Sequence, residues 1–415
     1  MTPVAKSIVL ITSGQPSINP RLVKEADALH SAGYRVTVLY QFWSHWADHF
    51  DTGLLDNKAW ESIQIGGSPR RNRATYLVTR VLHKVFRTVC RLSGFTMGRA
   101  EASLGRCTEL LYAAAVKIPA DLYIAHNLAA LAPAVRAAKS RGVKCGFDAE
   151  DFHRNEVADA PSDFDVRIKT FIEQKYFWQL DHFTASSPLI ASRYAALFPK
   201  LHITVIRNVF PRKECPAYRE ASVGEPLRLF WFSQTLNENR GIEEIIDALK
   251  LIENPTELHL LGYCTEAYRQ QIMGYAASAG VDERLICLHA PVSPTELMGV
   301  ASKFDIGIAA ETGIPANREI CLTNKLFTYI QSGLLLLASD TSAQSLFLQE
   351  YPQTGSIYRR ADPRSLAYQI SRYLKEPSAL QGIRKANYLL GQASMNWETE
   401  QVSFLTEISK TLAAS

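Results

Sequence analysis

FDIGIAAETGIPANREICLTNKLFTYIQSGLLLLASD, residues 304–340, decides how the rest of the chain is read. FDIGIAA has the length and bounds of a buried strand, and the polar loop ETGIPANREICLT follows it. NKLFTYIQSG then carries Leu326, Phe327 and Ile330 at helical spacing, and LLLLASD is a second apolar strand. Thr323 is a good N-cap residue, and Gly333 stands where a C-terminal glycine belongs. Strand, loop, helix and strand in that order make a βαβ unit with parallel strands. The first turn of the helix leaves N–H groups unpaired at the positive end of its dipole, and Lys325 and Arg318 add full charges nearby. A phosphate would therefore bind at the Asn324 helix start. The plainer reading is an ordinary βαβ unit with a solvated lysine and arginine. Two carboxylates in the same loop, Glu311 and Glu319, weigh against it.

At 415 residues the chain is too long for one ordinary core, so two domains are expected. Its 47% hydrophobic and 21% charged residues are those of a folded soluble protein. Seven cysteines form no CxxC pair and are odd in number, which fits reduced thiols in a cytoplasmic enzyme better than a disulfide framework. No apolar run approaches the ~18 residues of a membrane span. Neither a signal-peptide core nor its cleavage pattern opens the chain, so a soluble, cytosolic protein is expected. A net charge of +4 is too small to imply nucleic acid.

The N-terminal domain, residues 1–208, opens with the strand SIVLIT, the loop SGQPSI and a helix started by Asn19 and Pro20. Leu22, Ala26 and Leu29 give that helix its buried face, Gly33 ends it, and YRVTVLY is the next strand. The first loop stands at the carboxyl end of its strand, where α/β sheets bind ligands. It lacks GxGxxG, so no dinucleotide is expected, and Gly14 serves either a ligand or only the turn. Further on, DLYIA, the helix LAALAPAVRAAKS and VKCGFD restore the α/β alternation. His126 and the group Asp148, Glu150, Asp151, His153 and Glu156 fall at the ends of those two strands. Their short spacing on one loop suits capping and salt bridging better than metal ligation, and no metal is expected. A long helix through Trp178, the strand HFTA, the helix SSPLIASRYAALF and the segment ITVIRNVFP complete the domain. Residues 209–226, with Pro211, Pro216, Gly224 and Pro226, read as a linker.

Residues 67–100 differ from their surroundings. Arg70, Arg71, Arg73, Arg80, Lys84, Arg87, Arg91 and Arg99 occur there with no acidic residue between them. On a helix from about Thr75, positions 78, 81, 82, 85, 86 and 89 form an apolar stripe flanked by cations. Such a helix either lies on an anionic membrane surface through residues 70–91 or packs its stripe on the domain core. Nucleic acid is the weaker alternative, since no motif of a known binding module accompanies the charge.

The second domain, 227–390, starts at LRLFWFS and alternates strands and helices, so its sheet should be parallel. Ser293, Pro294, Thr295 and Glu296 read as a capping box with proline in the first turn. Residues 391–415 form a separate C-terminal helix.

These segments together resemble the nucleotide-sugar glycosyltransferases of the GT-B fold, in particular the large retaining family four (glycosyl transferases group 1). The stretch 304–340 looks like their donor-binding half, DLYIAHN and FDAEDFHRNE resemble N-domain segments, and ITVIRNVFP looks like the exit from that domain. The likeness covers nearly the whole chain except the basic segment. It implies an α/β protein of two Rossmann-like, doubly wound parallel-sheet domains facing a cleft, with the C-terminal helix crossing back to the N-domain. Family members carry two glutamates separated by seven residues, the first near the transferred sugar and the second on the ribose. Glu311 and Glu319 have that spacing, while counting back from Gly333 puts Thr328 at the usual place of the second. The resemblance thus implies Glu319, then Glu311, as acidic partners of the donor, with Thr328 as a ribose contact. Arg240 and Gly241 match the basic residue and glycine at the donor phosphates. The family's earlier arginine is Thr235 here, so Arg318 or Lys325 would supply the second contact. Gly262 in LLGYC resembles the glycine turn, and Val292 in HAPV the loop that holds the base. His126 would face the donor sugar. Gly14, Asp148 and His153 would lie on the acceptor side, with Asp151 or Glu150 orienting the acceptor.

The function so implied is transfer of a sugar from a nucleotide-diphosphate donor to a glycan, glycolipid or lipid-linked acceptor. It would proceed with retention, without metal and without a cofactor beyond the co-substrate. Arg240, Lys325 and the Asn324 helix start would stabilise the departing diphosphate. Such an enzyme would be cytoplasmic, or peripheral on the inner face of the plasma membrane. Two other readings stay open. One is a nucleotide-sugar epimerase or a phosphorylase on the same fold, using the acid and base groups from Asp148 to Glu156. The other is a non-catalytic scaffold, which Thr328 and Thr235 would suit. Fold alone does not decide among them.

Overall fold

The computed structural model describes residues 5–96, 98–220 and 226–414, and its chain divides into two compact units. One comprises Met1–Arg207, Pro315–Asn317 and Gln401–Ser415, and the other Asn208–Ile314 and Arg318–Glu400. Gly224, with the rest of 221–225 in the expected linker, lies outside the described residues.

The first unit is built on β1 (Ser7–Thr12), β2 (Arg35–Gln41), β3 (Glu61–Ile65), β4 (Leu122–His126), β5 (Lys144–Ala149), β6 (His182–Ala185) and β7 (Thr204–Val205). They pair in the order β3-β2-β1-β4-β5-β6-β7, every pairing parallel. Helices cover a parallel sheet on both faces, which is why SIVLIT and LYIAH are near-continuous apolar runs with no alternation. Asn19 accepts a hydrogen bond from the Leu22 amide (3.1 Å), Pro20 opens the helix Pro20–Ser31, and Leu22, Ala26 and Leu29 are buried beneath it. At the far edge ITVIRNVFP contributes only the two residues of β7, fewer than its apolar pattern suggests.

In the second unit β8 (Leu227–Thr235), β9 (Thr256–Tyr263), β10 (Ile286–His289), β11 (Ile306–Ala309), β12 (Leu335–Ser339) and β13 (Gly355–Tyr358) pair in the order β10-β9-β8-β11-β12-β13, again all parallel. Leu229, Trp231, Ile245, Leu258, Ile308 and Leu337 lie in its core. The glycine in FDIGIAA is a packing requirement. A side chain on Gly307 would run into the Tyr329 ring, so the helix Asn324–Gln331 lies directly on β11, and the Tyr329 hydroxyl donates to the Ile308 carbonyl (3.2 Å).

Both sheets reverse their winding once, between β1 and β4 and between β8 and β11. Ligands of open α/β sheets bind at such points, outside the carboxyl ends of the strands.

Three local expectations are corrected. Thr323 has an extended N-cap backbone, but its buried hydroxyl makes no cap hydrogen bond. The polar loop between β11 and that helix contains a helical turn of its own, Ala316–Ile320. Of the box at 293–296 only the Glu296 half forms, accepting from the Ser293 amide (3.0 Å), and the helix behind it is the short Leu297–Ala301.

The basic segment forms the helix Arg73–Ser93. Most of its apolar stripe faces out: Val78, Val81, Leu82 and Val85 are exposed, Val81 by 60%, while Phe86 and Val89 are half-buried, so the stripe as a whole does not pack on the core. Polar contacts on the other face hold the helix down. Arg87 pairs with Asp165 (2.6 Å), the His83 ring meets the Ala102 carbonyl (3.0 Å), and Thr79 and Cys90 are buried. No helix among the described residues is long and apolar enough to cross a membrane.

Candidate functional site

Parallel register aligns Thr12 with His126, His126 with Asp148, and Asp148 with Thr184 across four neighbouring strands of the first unit. This row meets the helix Pro20–Ser31, which sends Arg21 and Glu25 toward it one turn apart. Asp148 takes both arms of the Arg21 guanidinium at 2.7 Å and the Thr184 hydroxyl at 2.6 Å. His126 lies 3.2 Å from Glu25 and 3.6 Å from Asp148. All five side chains are buried. Burial alone would raise the Asp148 pKa, but Arg21 and His126 outweigh it and hold it below the usual range. Burial would likewise lower His126, but Glu25 outweighs it and the imidazole is held above its ordinary value. His126 and Asp148 therefore belong to a closed charge cluster in the core, and neither lines the pocket that follows. Strand-end position raised the expectation that they face ligand, and the face they occupy is the one that Arg21 and Glu25 cover.

Beyond the strand ends the same unit has a pocket of about 800 Å³, with Gly14, Glu150, Asp151 and His153 in its walls. Burial first, then the neighbouring Asp151 and Asp148, push the Glu150 carboxyl from 4.5 up to about 7. Asp151 is raised as well, by burial and then by Glu156, and it accepts a hydrogen bond from Asn317 Nδ2 (2.7 Å). His153 faces Glu156 (3.3 Å), which also takes Lys169 Nζ (2.9 Å). Burial alone would lower His153, but Glu156 outweighs it and raises it. Gly14 donates from its amide to Thr12 Oγ1 (3.1 Å), and an added Cβ would meet Ile18 at an ordinary 3.5 Å.

The second unit collects a different set at the β8/β11 switch point. Glu311 is nearly buried and accepts from Lys325 Nζ (2.7 Å), with Arg318 at 3.9 Å. Lys325 also lies over the Trp231 ring, 5.1 Å from its centroid. Arg318 donates to the Asn239 carbonyl (3.1 Å), and Arg240 donates to Asn237 Oδ1 (3.2 Å). Burial first, then repulsion from Arg318, lower the Arg240 pKa. Three cations thus gather around one carboxylate. Gly241 has φ +79°, and a Cβ there would come within 2.9 Å of the Ala310 methyl, so the chain turns here on a glycine.

Other expected donor residues stand apart from this group. Glu319 accepts the Ser342 amide (2.8 Å) and hydroxyl (2.6 Å) at the start of the helix Ser342–Glu350 and pairs with Arg360. It is a capping carboxylate, and Glu311 is the acid that meets the cations. Thr328 is fully buried, which corrects its reading as a ribose contact. Gly262 lies in β9, and Val292 is half-buried in the loop after β10. Sequence reasoning missed Arg21, Glu25, Asn317 and Arg360. The only signal for the first two was an i, i+4 pair beside an apolar stripe. Among the described residues no three His, Cys, Asp or Glu side chains are grouped to hold a metal ion.

No family model matches the sequence, and no curated protein matches it. Solved structures do. Sucrose-phosphate synthase from Thermosynechococcus elongatus aligns over 99% of this chain and 100% of its own at 16% identity, with a TM-score of 0.74. HepE of Anabaena, solved in complex with UDP and glucose, aligns over 98% and 100% at 14% identity and a TM-score of 0.70. WaaG, a glycosyltransferase involved in lipopolysaccharide biosynthesis, aligns over 95% and 98% at 12% identity and a TM-score of 0.62. At such identities the likeness is one of fold, and the fold is the one expected: the chain has the GT-B architecture of two parallel-sheet α/β domains.

Proposed function

We propose that the protein is a glycosyltransferase that binds a nucleotide-diphosphate sugar on its second unit and an acceptor on its first. The observation that carries this reading is the group of Arg240, Arg318 and Lys325 around Glu311 at the β8/β11 switch point. Preorganised cations stabilise a diphosphate as charge develops on it during departure, and they do so most strongly where water is excluded. We assign that role to these three side chains rather than to a divalent ion, with retention at the anomeric carbon. Structures of the same fold hold UDP with glucose, which supports a nucleotide-sugar donor. In the first unit Glu150 and Asp151 orient the acceptor hydroxyl.

Nucleotide diphosphates and their sugars, screened by thermal shift, test the donor reading. A ligand at ~100 times its Kd adds ~2.7 kcal/mol to stability. Arg240→Gln should weaken donor binding by about 1.5–3 kcal/mol, the worth of a charge-assisted contact. Lys325 is the poorer probe, because removing it strands Glu311 in the interior. If no nucleotide diphosphate raises the Tm, the reading fails. Turnover that EDTA abolishes would overturn the metal-free mechanism.

The exposed stripe of Val78, Val81, Leu82 and Val85, on a helix whose charged side chains are all cations, supports docking on an anionic membrane surface. Each cation there contributes about 1 kcal/mol, reduced by salt. Vesicle sedimentation with and without phosphatidylglycerol tests this. Val81→Asp with Val85→Asp should abolish pelleting, and equal pelleting on neutral vesicles would refute it.

A further inference from the structure

The helix Arg73–Ser93 has two working faces. One carries the exposed aliphatic stripe, and the other, with Tyr76, Arg80, His83, Lys84 and Arg87, lines the 800 Å³ pocket of the first unit. Spacings of four, three, one and three residues place those five side chains on a single helical face. The charges in the pocket are sorted. Arg87 is neutralised by Asp165 and Lys169 by Glu156. Among the described residues Arg80 has only the Tyr76 hydroxyl (3.2 Å) and the Tyr76 ring, 5.5 Å away, and neither it nor Lys84 has a carboxylate within ion-pair distance. Arg106 completes this end. Its guanidinium is fixed by Thr79 Oγ1 (2.7 Å) and by the Gly66 (3.0 Å) and Phe42 (3.2 Å) carbonyls, acceptors that leave its charge uncancelled. The carboxylates Glu150 and Asp151 belong to the same pocket, and Trp43, 68% exposed, offers a flat apolar face on its rim.

We infer that this pocket takes an acceptor bearing a phosphate ester. The phosphate is held by Arg80, Lys84 and Arg106, the sugar ring lies against Trp43, and its hydroxyl faces Glu150 and Asp151. The reasoning rests on the proposed glycosyltransferase only in calling the ligand an acceptor. Three cations without a carboxylate partner in one concave site create a positive potential that a neutral sugar does not answer, whereas a phosphate or diphosphate supplies about two charges and several acceptor oxygens. The arginine forks suit phosphate geometry. One helix separates this cation group from the exposed aliphatic face, so a phosphate joined to a lipid has its head and its tail accommodated on opposite sides of one element. A soluble sugar phosphate shares the headgroup chemistry.

Inorganic pyrophosphate added to the intact protein, with hydrogen exchange read peptide by peptide, should slow exchange across 76–87. Unchanged exchange there in the wild type overturns the inference without any variant. Arg80→Gln with Lys84→Gln, both at exposed helix positions, should weaken that effect about tenfold or more while UDP affinity stays unchanged. An equal pyrophosphate response in this double variant also overturns it. Phosphatidylcholine vesicles doped with undecaprenyl phosphate, compared with a charge-matched amount of phosphatidylglycerol, separate the two sources. Preference for the former, lost in the double variant, assigns the phosphate to a lipid. Saturable binding of glucose 1-phosphate without vesicles assigns it to a soluble sugar. Glucuronate binding as tightly as glucose 1-phosphate would refute phosphate recognition. A protein that binds UDP but leaves 76–87 unprotected fails this inference alone, and one protected at 76–87 that binds no nucleotide fails the donor reading alone.

Discussion

Glu150→Gln separates the cost of holding a charge in the pocket wall from everything else that titrates. Burial and the neighbouring Asp151 and Asp148 raise the folded carboxyl from 4.5 to about 7, so between those values the native state keeps a proton that the unfolded chain has released. Stability from this group is therefore fully present below pH 4.5 and is lost as pH rises through 7. At ~1.36 kcal/mol for each pH unit the loss is at most about 3 kcal/mol. Glu150 is half-buried and lines the open pocket, so water screens part of the cost and about 1–2 kcal/mol is expected. The glutamine keeps the size and never ionises. Thermal unfolding of both proteins at pH 5, 6, 7 and 8 should show the variant gaining on the wild type as pH rises, because other groups titrate equally in the two. A gap that stays constant from pH 5 to 8 would show that Glu150 ionises normally in the fold and would refute the reasoning.

His182, in β6 and buried beside Thr411 of the helix Trp397–Ala413, where the sequence pattern places a helix over 391–415, is pushed down to about 4 by burial, so its stabilising effect is present above pH 6.5 and lost as pH falls toward 4. Acid unfolding should therefore begin near pH 5 in circular dichroism, and His182→Gln should resist it there while being less stable at pH 7. Gly241→Ala should cost about 1–3 kcal/mol, from a left-handed backbone and the Ala310 methyl, against about 0.5 or less for Gly14→Ala, both read as Tm. Glu319→Gln should lower the Tm slightly and leave UDP affinity unchanged. Glu311→Gln should tighten UDP binding, because Lys325 is then released to the diphosphate.

The sheets were legible in the sequence because a covered parallel strand has no polar face to interrupt its apolar run. Helix starts were legible where a side chain acts locally, as at Asn19. Thr323 misled because its hydroxyl is buried without reaching the helix start, which no local pattern records. The stripe on the basic helix was visible, but its direction was not. A hydrophobic face implies burial only when the opposite face has nothing better to offer, and here Arg87, His83 and Thr79 find fixed partners on the first unit. For the site residues, strand-end position was a sound guide to location and a poor guide to orientation. His126 and Asp148 stand at the ends of their strands and point into the core, whereas Glu150 and Asp151, one and two residues beyond β5, reach the pocket.

The two switch points carry charge to opposite ends. At β1/β4 the helix after the first strand supplies Arg21 and Glu25, one cation and one anion, to a row holding His126 and Asp148, so the cluster cancels and closes. A buried pair of that kind needs no ligand to satisfy it, and breaking it would strand a charge at a cost of about 3–5 kcal/mol. At β8/β11 three cations share Glu311, and the excess lies beside the starts of the helices at Gly241 and Asn324. Burial first, and then repulsion from Arg318, lower the Arg240 pKa, as expected where positive charge exceeds the single carboxylate beside it. In the proposed donor complex a bound diphosphate would relieve that repulsion, and its departure would restore it. On that proposal the same arrangement would strengthen donor binding and stabilise the leaving group most when its charge is greatest, which is the condition for electrostatic catalysis rather than tight ground-state binding alone.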